Sequence, residues 1–470
     1  MKKIASYILL SGCLALTSCS LTDPGETINP NVDEKQFLNS DNAMQSWVNG
    51  TLKTFATDMG NYVELMEIMS DDYFNNYSRS SKVFDVPQIL YTDRDVTNMQ
   101  RYVAQFREMA DYGLTTVAAK QAPTAEQSFT LTWVKAYGYL LAGENFRALP
   151  VTANGEVVEW QGQLRLALST AAQAEQLATT ADEKAFALTL RARAYRQLGN
   201  ADSALIVALQ ALAQSADFVQ QAKYDGVNGV NNSIQEYIWG TAFQPLPRLD
   251  FLDPKYFQTT ATEQRPICIG KAEEDHLIIA EALVAQGKLA EAKAQLQQLL
   301  TLVQGRPVQH DLNDQLEGRF NGGYKKYPNS SDYRVRASAN DPLRSGLILD
   351  RQAPNLISVP YISGTSVTAS MISDLQSADQ ALELIYLMRQ EIFMAEGRRV
   401  ADLGIRLPVC ETEAVGNASA QPYLEALIPD YIPLNQGMDE FTIDEATKTV
   451  TITYNMNRVL VEHKATAFAK

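Results

Sequence analysis

Histidine is almost missing, with three in 470 residues. A histidine-rich metal centre is thereby excluded, since His276, His310 and His463 are scattered and offer no ligand spacing. Cysteine is nearly as scarce, four in all with no C-x-x-C pair, which leaves no redox motif or zinc ribbon. No run of five basic residues occurs, and the formal charge is −15. Phosphate contacts need clustered Lys and Arg, so nucleic acid is not an expected partner. The signatures G-x-S-x-G, H-E-x-x-H, G-x-G-x-x-G and the Walker loop are all missing, and no EF-hand spacing appears. No cofactor and no metal is expected, and no catalytic residue can be named.

What is present is ordinary globular composition, 46% hydrophobic and 20% charged, which excludes a wholly disordered, collagen-like or polytopic membrane chain. A chain of this length buries enough surface to fold without disulfide or metal. The first residues differ in kind from the rest. Lys2 and Lys3 precede an apolar stretch from Ile4 to Leu16, too short to span a bilayer comfortably, which runs into Leu16-Thr17-Ser18-Cys19. Small residues before a cysteine match a bacterial lipoprotein signal. The expectation is a signal peptide over 1–18, cleavage before Cys19, and lipidation of that thiol and its new amino group, palmitate-type acyl chains included. Several chains anchor stably where one does not. An ordinary secretory signal with a chance cysteine is the alternative. Residues 19–35 are rich in Pro, Gly, Asn and acids and read as a flexible tether. No later segment approaches eighteen apolar residues, so 36–470 reads as one body held to the membrane only through lipid. Cys268 and Cys410 remain; two buried thiols are the commoner outcome than a bridge.

The strongest internal signal is a repeat. Ala192 to Ala204 and Ala280 to Ala292 match at an offset of 88, through Ala192/Ala280, Ala194/Ala282, Gly199/Gly287 and Ala204/Ala292. Ala136 to Gly143 is a weaker third copy, with Gly143 aligned to Gly199. Small residues let two helices approach, and the glycine ends the first helix in the left-handed conformation. This is the pattern of tetratricopeptide-type hairpins, placed near 125–143, 184–216 and 275–303. The segments Tyr224 to Ile269 and Arg306 to Ser370 lack helical period and read as loops with short strands, including Leu347 to Leu349 and Leu356 to Val359. Phe441 to Val461 alternates like a hairpin turning near Asp444 to Lys448.

Three segments together resemble the SusD/RagB family of nutrient-binding lipoproteins: Ala125 through Tyr139 to Val151, the Lys184 to Ala204 hairpin, and Arg389 to Leu403, which carries Arg, Glu, Glu-Gly-x-Arg and Asp-Leu. The chain departs from it at Val400-Ala401, where the family usually has an aromatic pair, and matches no pattern after Gly416. The resemblance implies a mostly α fold with tetratricopeptide-like hairpins as scaffold, long loops and a few short strands. It implies a non-enzymatic protein of the Bacteroidetes-type outer membrane, facing the cell surface. Such a protein binds an oligosaccharide, polysaccharide or peptide and delivers it to a SusC-like TonB-dependent transporter. A lipid-anchored glycoside hydrolase and a protein-interaction scaffold without small ligand are the alternatives.

Sugars need a flat apolar face and nearby carboxylate, amide or guanidinium groups. Asp72, Asn75, Tyr77 and Arg79 offer both and sit where the family often has an early ligand loop, against a plain solvated loop. A second concentration, Tyr237 to Phe257, contributes Trp239 and Tyr256, which are a platform if exposed and core if buried. A third is Phe320 to Tyr327, with Tyr324. Arg389, Glu391, Glu396, Arg398 and Asp402 read as a structural ion-pair helix, paired three and four apart. Glu273, Glu274 and Asp275 read as acids that complement a helix N-terminus.

Overall fold

The computed structural model describes residues 34–76, 82–153, 155–239, 242–257, 260, 262–313, 326–350 and 356–469. The signal peptide, Cys19, most of the tether, Tyr77, Arg79 and Tyr324 lie outside the described residues.

After a short α1 (Glu34–Leu38), α2 (Ala43–Ile68) runs through the body and is buried along most of its length. Strand β1 (Tyr73–Asn75) follows it, and α3 (Arg94–Tyr112) then leads into α4 (Ala125–Asn145). Thr124 and Gln127 form a reciprocal capping box that starts α4. Strands β2 (Ala148–Pro150) and β3 (Val157–Glu159) pair antiparallel and turn the chain into α5 (Trp160–Leu177). A second capping box, Thr180 with Glu183, opens α6 (Ala181–Gln197), and α7 (Ala201–Gln214) folds back on it.

Between α7 and the next hairpin lie β4 (Val219–Ala222), α8 (Ser233–Trp239), β5 (Phe243–Pro245), a 3-10 segment (Pro247–Tyr256) and β6 (Ile267–Lys271). The two helical pieces are more order than the sequence expectation for Tyr224 to Ile269, because buried Ile234, Ile238 and Leu249 anchor them to the core. Helices α9 (Ala272–Ala285) and α10 (Leu289–Gln304) form the next hairpin. Helix α9 stacks on α7, so two hairpins distant in sequence are neighbours in space. Buried Ala204, Ala208 and Ala211 of α7 and Ala280 and Ala282 of α9 share one apolar cluster. Small side chains at that contact let the backbones come close.

The two repeat glycines behave alike: Gly199 and Gly287 both have φ of 73° and end α6 and α9. Gly143 does not. It lies inside α4, which continues to Asn145. A Cβ there would sit 2.6 Å from Leu164 Cγ and 3.0 Å from its backbone nitrogen. The third copy therefore keeps its glycine for close approach of α5, not for a left-handed stop.

The rest of the chain packs against this array. Strands β7 (Val308–Asn313) and β9 (Leu356–Pro360) pair antiparallel; Leu347 to Leu349 forms no strand. Strand β8 (Arg334–Arg336) adds parallel to β11 (Thr449–Ile452), which pairs antiparallel with β10 (Phe441–Asp444). That hairpin turns where the sequence places it, but Met456–Glu462 is helical (α15) and not strand, with Met456 and Leu460 buried one turn apart. A short α11 (Ala369–Ser373) precedes α12 (Ala378–Ile392), and α13 (Arg399–Leu403) and α14 (Glu411–Gly416) follow. The result is mostly α, with only small sheets among the described residues. No described helix is long and apolar enough to cross a membrane. Cys268 and Cys410 are free and buried.

Candidate ligand face

The three aromatic stretches singled out in the sequence meet in space. Strand β1 pairs antiparallel with β5, placing Asn75 opposite Phe243 and Phe74 opposite Gln244. Backbone bonds extend the ladder, Asn76 N to Ala242 O at 2.8 Å and Leu246 N to Asp72 O at 2.8 Å. The Phe74 ring lies 6.2 Å from Tyr327 and 5.9 Å from Phe441, and those two meet edge-on at 6.1 Å. Tyr327 donates to Asp250 Oδ1 at 3.2 Å, which ties the third stretch to the 3-10 segment of the second. Tyr237 stacks on Phe243 at 5.1 Å.

Three of the predicted ligand residues, Asp72, Asn75 and Tyr256, are core. Asp72 is 1% exposed and accepts from Gln390 Nε2 at 2.9 Å. Its neighbour Asp71 accepts from Arg399 Nη2 at 2.9 Å. The Asp72 stretch is thus neither solvated loop nor sugar-facing loop up to Asn75, which is fully buried. Burial first, and then Asp71, push the Asp72 carboxyl up to about 7. Tyr256 is buried and donates to Ala395 O at 2.8 Å, so it is no platform. Trp239 is the last residue of α8.

Two surface hollows adjoin this cluster and share Glu440. One, of about 330 Å³, is lined by Lys326, Glu440, Phe441, Ile443 and Glu445. The other, of about 470 Å³, is lined by Asp85, Val86, Asn435, Gln436, Gly437, Glu440 and Thr453. Their walls combine one aromatic ring with amides, carboxylates and an ammonium, the inventory that binds a neutral polyhydroxylated ligand. The Lys326–Glu445 pair, 2.7 Å apart, is exposed at both ends and adds little stability. Sequence reasoning missed Asn435, Gln436, Glu440 and Phe441. They lie in the C-terminal region that matches no pattern, and only the alternation of β10 marked Phe441 as half-buried.

The charges of the late segment have a different role. They do not pair three and four apart along one helix, because α12 ends at Ile392 and the chain turns before α13. Arg389 Nε donates to Asp402 Oδ2 at 2.8 Å, and Arg196 of α6 donates to Asp402 Oδ1 at 2.8 Å. Arg398 meets Glu274 at 2.6 Å. Glu396 receives Lys271 at 2.7 Å and also binds Lys255. Glu391 accepts from Thr365 Oγ1 at 2.6 Å and Ser366 N at 2.8 Å. Glu67 of α2 accepts from Gly397 N at 2.7 Å and Ala395 N at 3.1 Å, holding a turn in which both residues have positive φ.

Glu273, Glu274 and Asp275 do stand in the first turn of α9, as the sequence places them, but all three are buried and paired with side chains. Glu273 binds Arg306 bidentately at 2.7 and 2.8 Å, and Asp275 accepts from Thr189 Oγ1 at 2.6 Å. Burial opposes ionisation of Glu274, yet Arg398, Arg193 and Arg389 hold its carboxyl down to about 2. Every one of these groups is spent on an internal partner, and among the described residues no group of three metal-type ligands gathers.

No protein-family profile and no curated protein matches the chain. Solved structures do. A SusD superfamily protein from Bacteroides fragilis aligns over 81% of this chain and 99% of its own, at 14% identity and a TM-score of 0.51. A protein described as a putative sugar binding protein, from Bacteroides vulgatus, aligns over 80% and 96%, at 12% identity and 0.51. A laminarin binding SusD-like protein aligns over 79% and 97%, at 12% identity and 0.50. Each alignment covers about four fifths of this chain and nearly all of the other, and the chain has the SusD-like fold.

Proposed function

We propose that this chain is a SusD/RagB-type lipoprotein that captures a glycan without cleaving it. The observation that carries the reading is the shared fold over about four fifths of the chain, with proteins of which two are described as sugar or laminarin binders. In this reading residues 1–18 are removed, lipid on Cys19 tethers a single body of residues 36–470, and the tether spans 19–35. The protein faces outward from the outer membrane and hands its cargo to a SusC-like TonB-dependent transporter. Oligomer capture through several weak contacts raises the local ligand concentration without requiring tight binding at any one subsite. The hollows around Glu440 and Phe441 are the proposed sugar-contacting set, and Tyr77, Arg79, Trp239 and Tyr324 stay in it on the sequence reading alone. A peptide cargo is the variant of the same reading.

The test is affinity electrophoresis of the full chain through gels that contain laminarin, starch or another polysaccharide. At least one polymer retards it, and the double variant Gln436→Ala/Glu440→Ala migrates as in a plain gel. No retardation by any polymer, combined with a rise in melting temperature from a peptide mixture, replaces glycan by peptide. Release of reducing ends from a polymer revives the hydrolase reading. Detergent extraction with mass spectrometry tests the transporter: a stoichiometric TonB-dependent barrel supports the uptake role, and a lone lipoprotein after mild crosslinking opposes it.

A further inference from the structure

Strand β4 has one neighbour, β6, and its other edge pairs with no strand among the described residues. The ladder slips between Gln220 and Gln221. The residue left over is Ile269 of β6, so β4 itself stays regular. Gln220, Gln221, Ala222 and Lys223 all line a cavity of about 470 Å³. Successive side chains of a strand point to opposite faces. Four in a row therefore border one cavity only where it runs along the edge. A two-stranded sheet always has free edges; this one differs in having walls beside it. The cavity shares no lining residue with the two hollows around Glu440.

Another wall is one face of α4, Glu126, Phe129, Thr130 and Trp133, spaced three and four apart. Edge-on contacts with Phe55 at 5.1 Å and Phe186 at 5.5 Å fix Trp133 there, so the wall is preformed. The apolar surface continues outside the cavity. Leu52, which lines it, is 37% exposed. Val227 is 79% exposed, at the tip of the loop between the lining residues Asp225 and Val230. Asp225 and Val230 exchange backbone bonds of 2.9 Å, and the Asp225 carboxylate accepts from Val227 N at 3.1 Å and Asn228 N at 3.2 Å. An aliphatic side chain is thus held out to solvent on a fixed turn.

These features select the occupant. The amides and carbonyls of a free strand edge bind a further strand, and flanking pockets take its alternate side chains. Phe55, Phe129 and Trp133 are at most 3% exposed, and rings so covered have no open face for a sugar to stack on. The two lining cations, Lys53 and Lys223, are exposed, so a free terminal carboxylate finds no dry partner. The apolar surface at Leu52 and Val227 also extends past what four paired residues would cover. We propose that the β4 edge docks an internal, extended segment of a partner protein, which adds as a strand beside β4 with alternate apolar side chains against Trp133 and Leu52. The site stands independently of the glycan reading.

The probe is the capped pentapeptide acetyl-Thr-Val-Phe-Val-Thr-amide, labelled with fluorescein and read by anisotropy against the full chain. Cys19→Ala is included so that the chain carries no lipid. Saturable binding is expected. One analogue is N-methylated at both valines and a second at phenylalanine and the last threonine, which places the blocked amides on opposite edges of the peptide strand. One of the two is expected to bind about tenfold weaker and the other within about twofold. Thr130→Trp fills the cavity from α4 and abolishes binding; the two analogues carry the test even if that variant fails to fold. No saturable binding, equal affinity of both analogues, or unchanged binding to a folded Thr130→Trp protein would overturn the assignment. So would displacement of the probe by laminarihexaose, which makes the cavity a glycan site, or much tighter binding of the uncapped peptide, which makes the occupant a free peptide. Polysaccharide retardation of Thr130→Trp stays as in the parent chain, which keeps the two sites distinguishable.

Discussion

Arg196 and Asp402 are joined by a 2.8 Å hydrogen bond across 206 residues of sequence, with both side chains nearly excluded from water. The bond fastens the α6/α7 hairpin to α13. Asp402 also holds Arg389, and Arg196 also holds Glu281 at 2.7 Å. Removing one partner leaves an uncompensated buried charge. Asp402→Asn is therefore expected to cost about 3–5 kcal/mol. Urea titration checks it, read as a lower midpoint with an unchanged slope. A cost below about 1 kcal/mol would mean the pair is solvated in solution.

Burial raises Asp58 to about 7, against Arg101, and raises Asp72 to about 7. Both carboxyls have folded values above the unfolded carboxylate range of roughly 3.9, so the folded state binds their protons more tightly. Stability from these two groups grows as pH falls from above 7 toward 4. Glu274, held down to about 2, has the opposite sign: its contribution is present above about 4 and is lost as pH falls through 2. His276, which burial holds down to about 4, works against Asp58 and Asp72 as pH falls from about 6.5, so the carboxyls' sign is read from the difference between variant and parent. Asp58→Asn flattens the limb between about pH 4 and 7 and leaves the acid limb unchanged. An Asp58→Asn protein whose melting temperature differs from the parent's by the same amount at pH 5 and pH 8 contradicts this account.

The repeat glycines separate two costs. Gly199→Ala and Gly287→Ala each force a side chain into the left-handed region, for about 1–2 kcal/mol. Gly143→Ala drives its Cβ into Leu164 and is expected to cost more, with partial rescue by Leu164→Ala. Thermal melts of the four proteins read this directly. The absence of rescue would show that Gly143 serves a backbone role instead.

Cys268 and Cys410 are buried, and burial pushes both thiols up. Neither is expected to react with a thiol reagent in native buffer within an hour, and both react in guanidinium. Dithiothreitol leaves the melting temperature unchanged. Rapid native labelling of Cys268 would show that the Glu396, Lys255 and Lys271 cluster opens.

The hairpins were legible because alanine and glycine at helix-packing positions are a local signal. Gly199 and Gly287 need only their own turns to reveal them. Gly143 shows where that signal misleads: the same residue type served packing, which depends on Leu164 of the next helix. The charges of 389–402 were legible as structural residues but not in their partners, since Arg196, Glu274 and Lys271 are fixed by tertiary approach. Asp72 and Tyr256 read as loop residues for the same reason. Polarity suggested solvent for Asp72 and left Tyr256 open between platform and core, whereas Gln390 and the Ala395 carbonyl satisfy them inside. The hollows around Glu440 carried no sequence signal beyond strand alternation.

The wiring of the buried charges sets a timetable for synthesis. Asp71 waits 328 residues for Arg399, and Arg196 waits 206 for Asp402. Until the last quarter of the chain has emerged, Asp71 lacks Arg399 and Arg196 lacks Asp402, although Arg193 already has Glu144 and Arg196 later gains Glu281. A nascent chain of half length thus lacks the bonds that fasten α2 and the α6/α7 hairpin to the late segment.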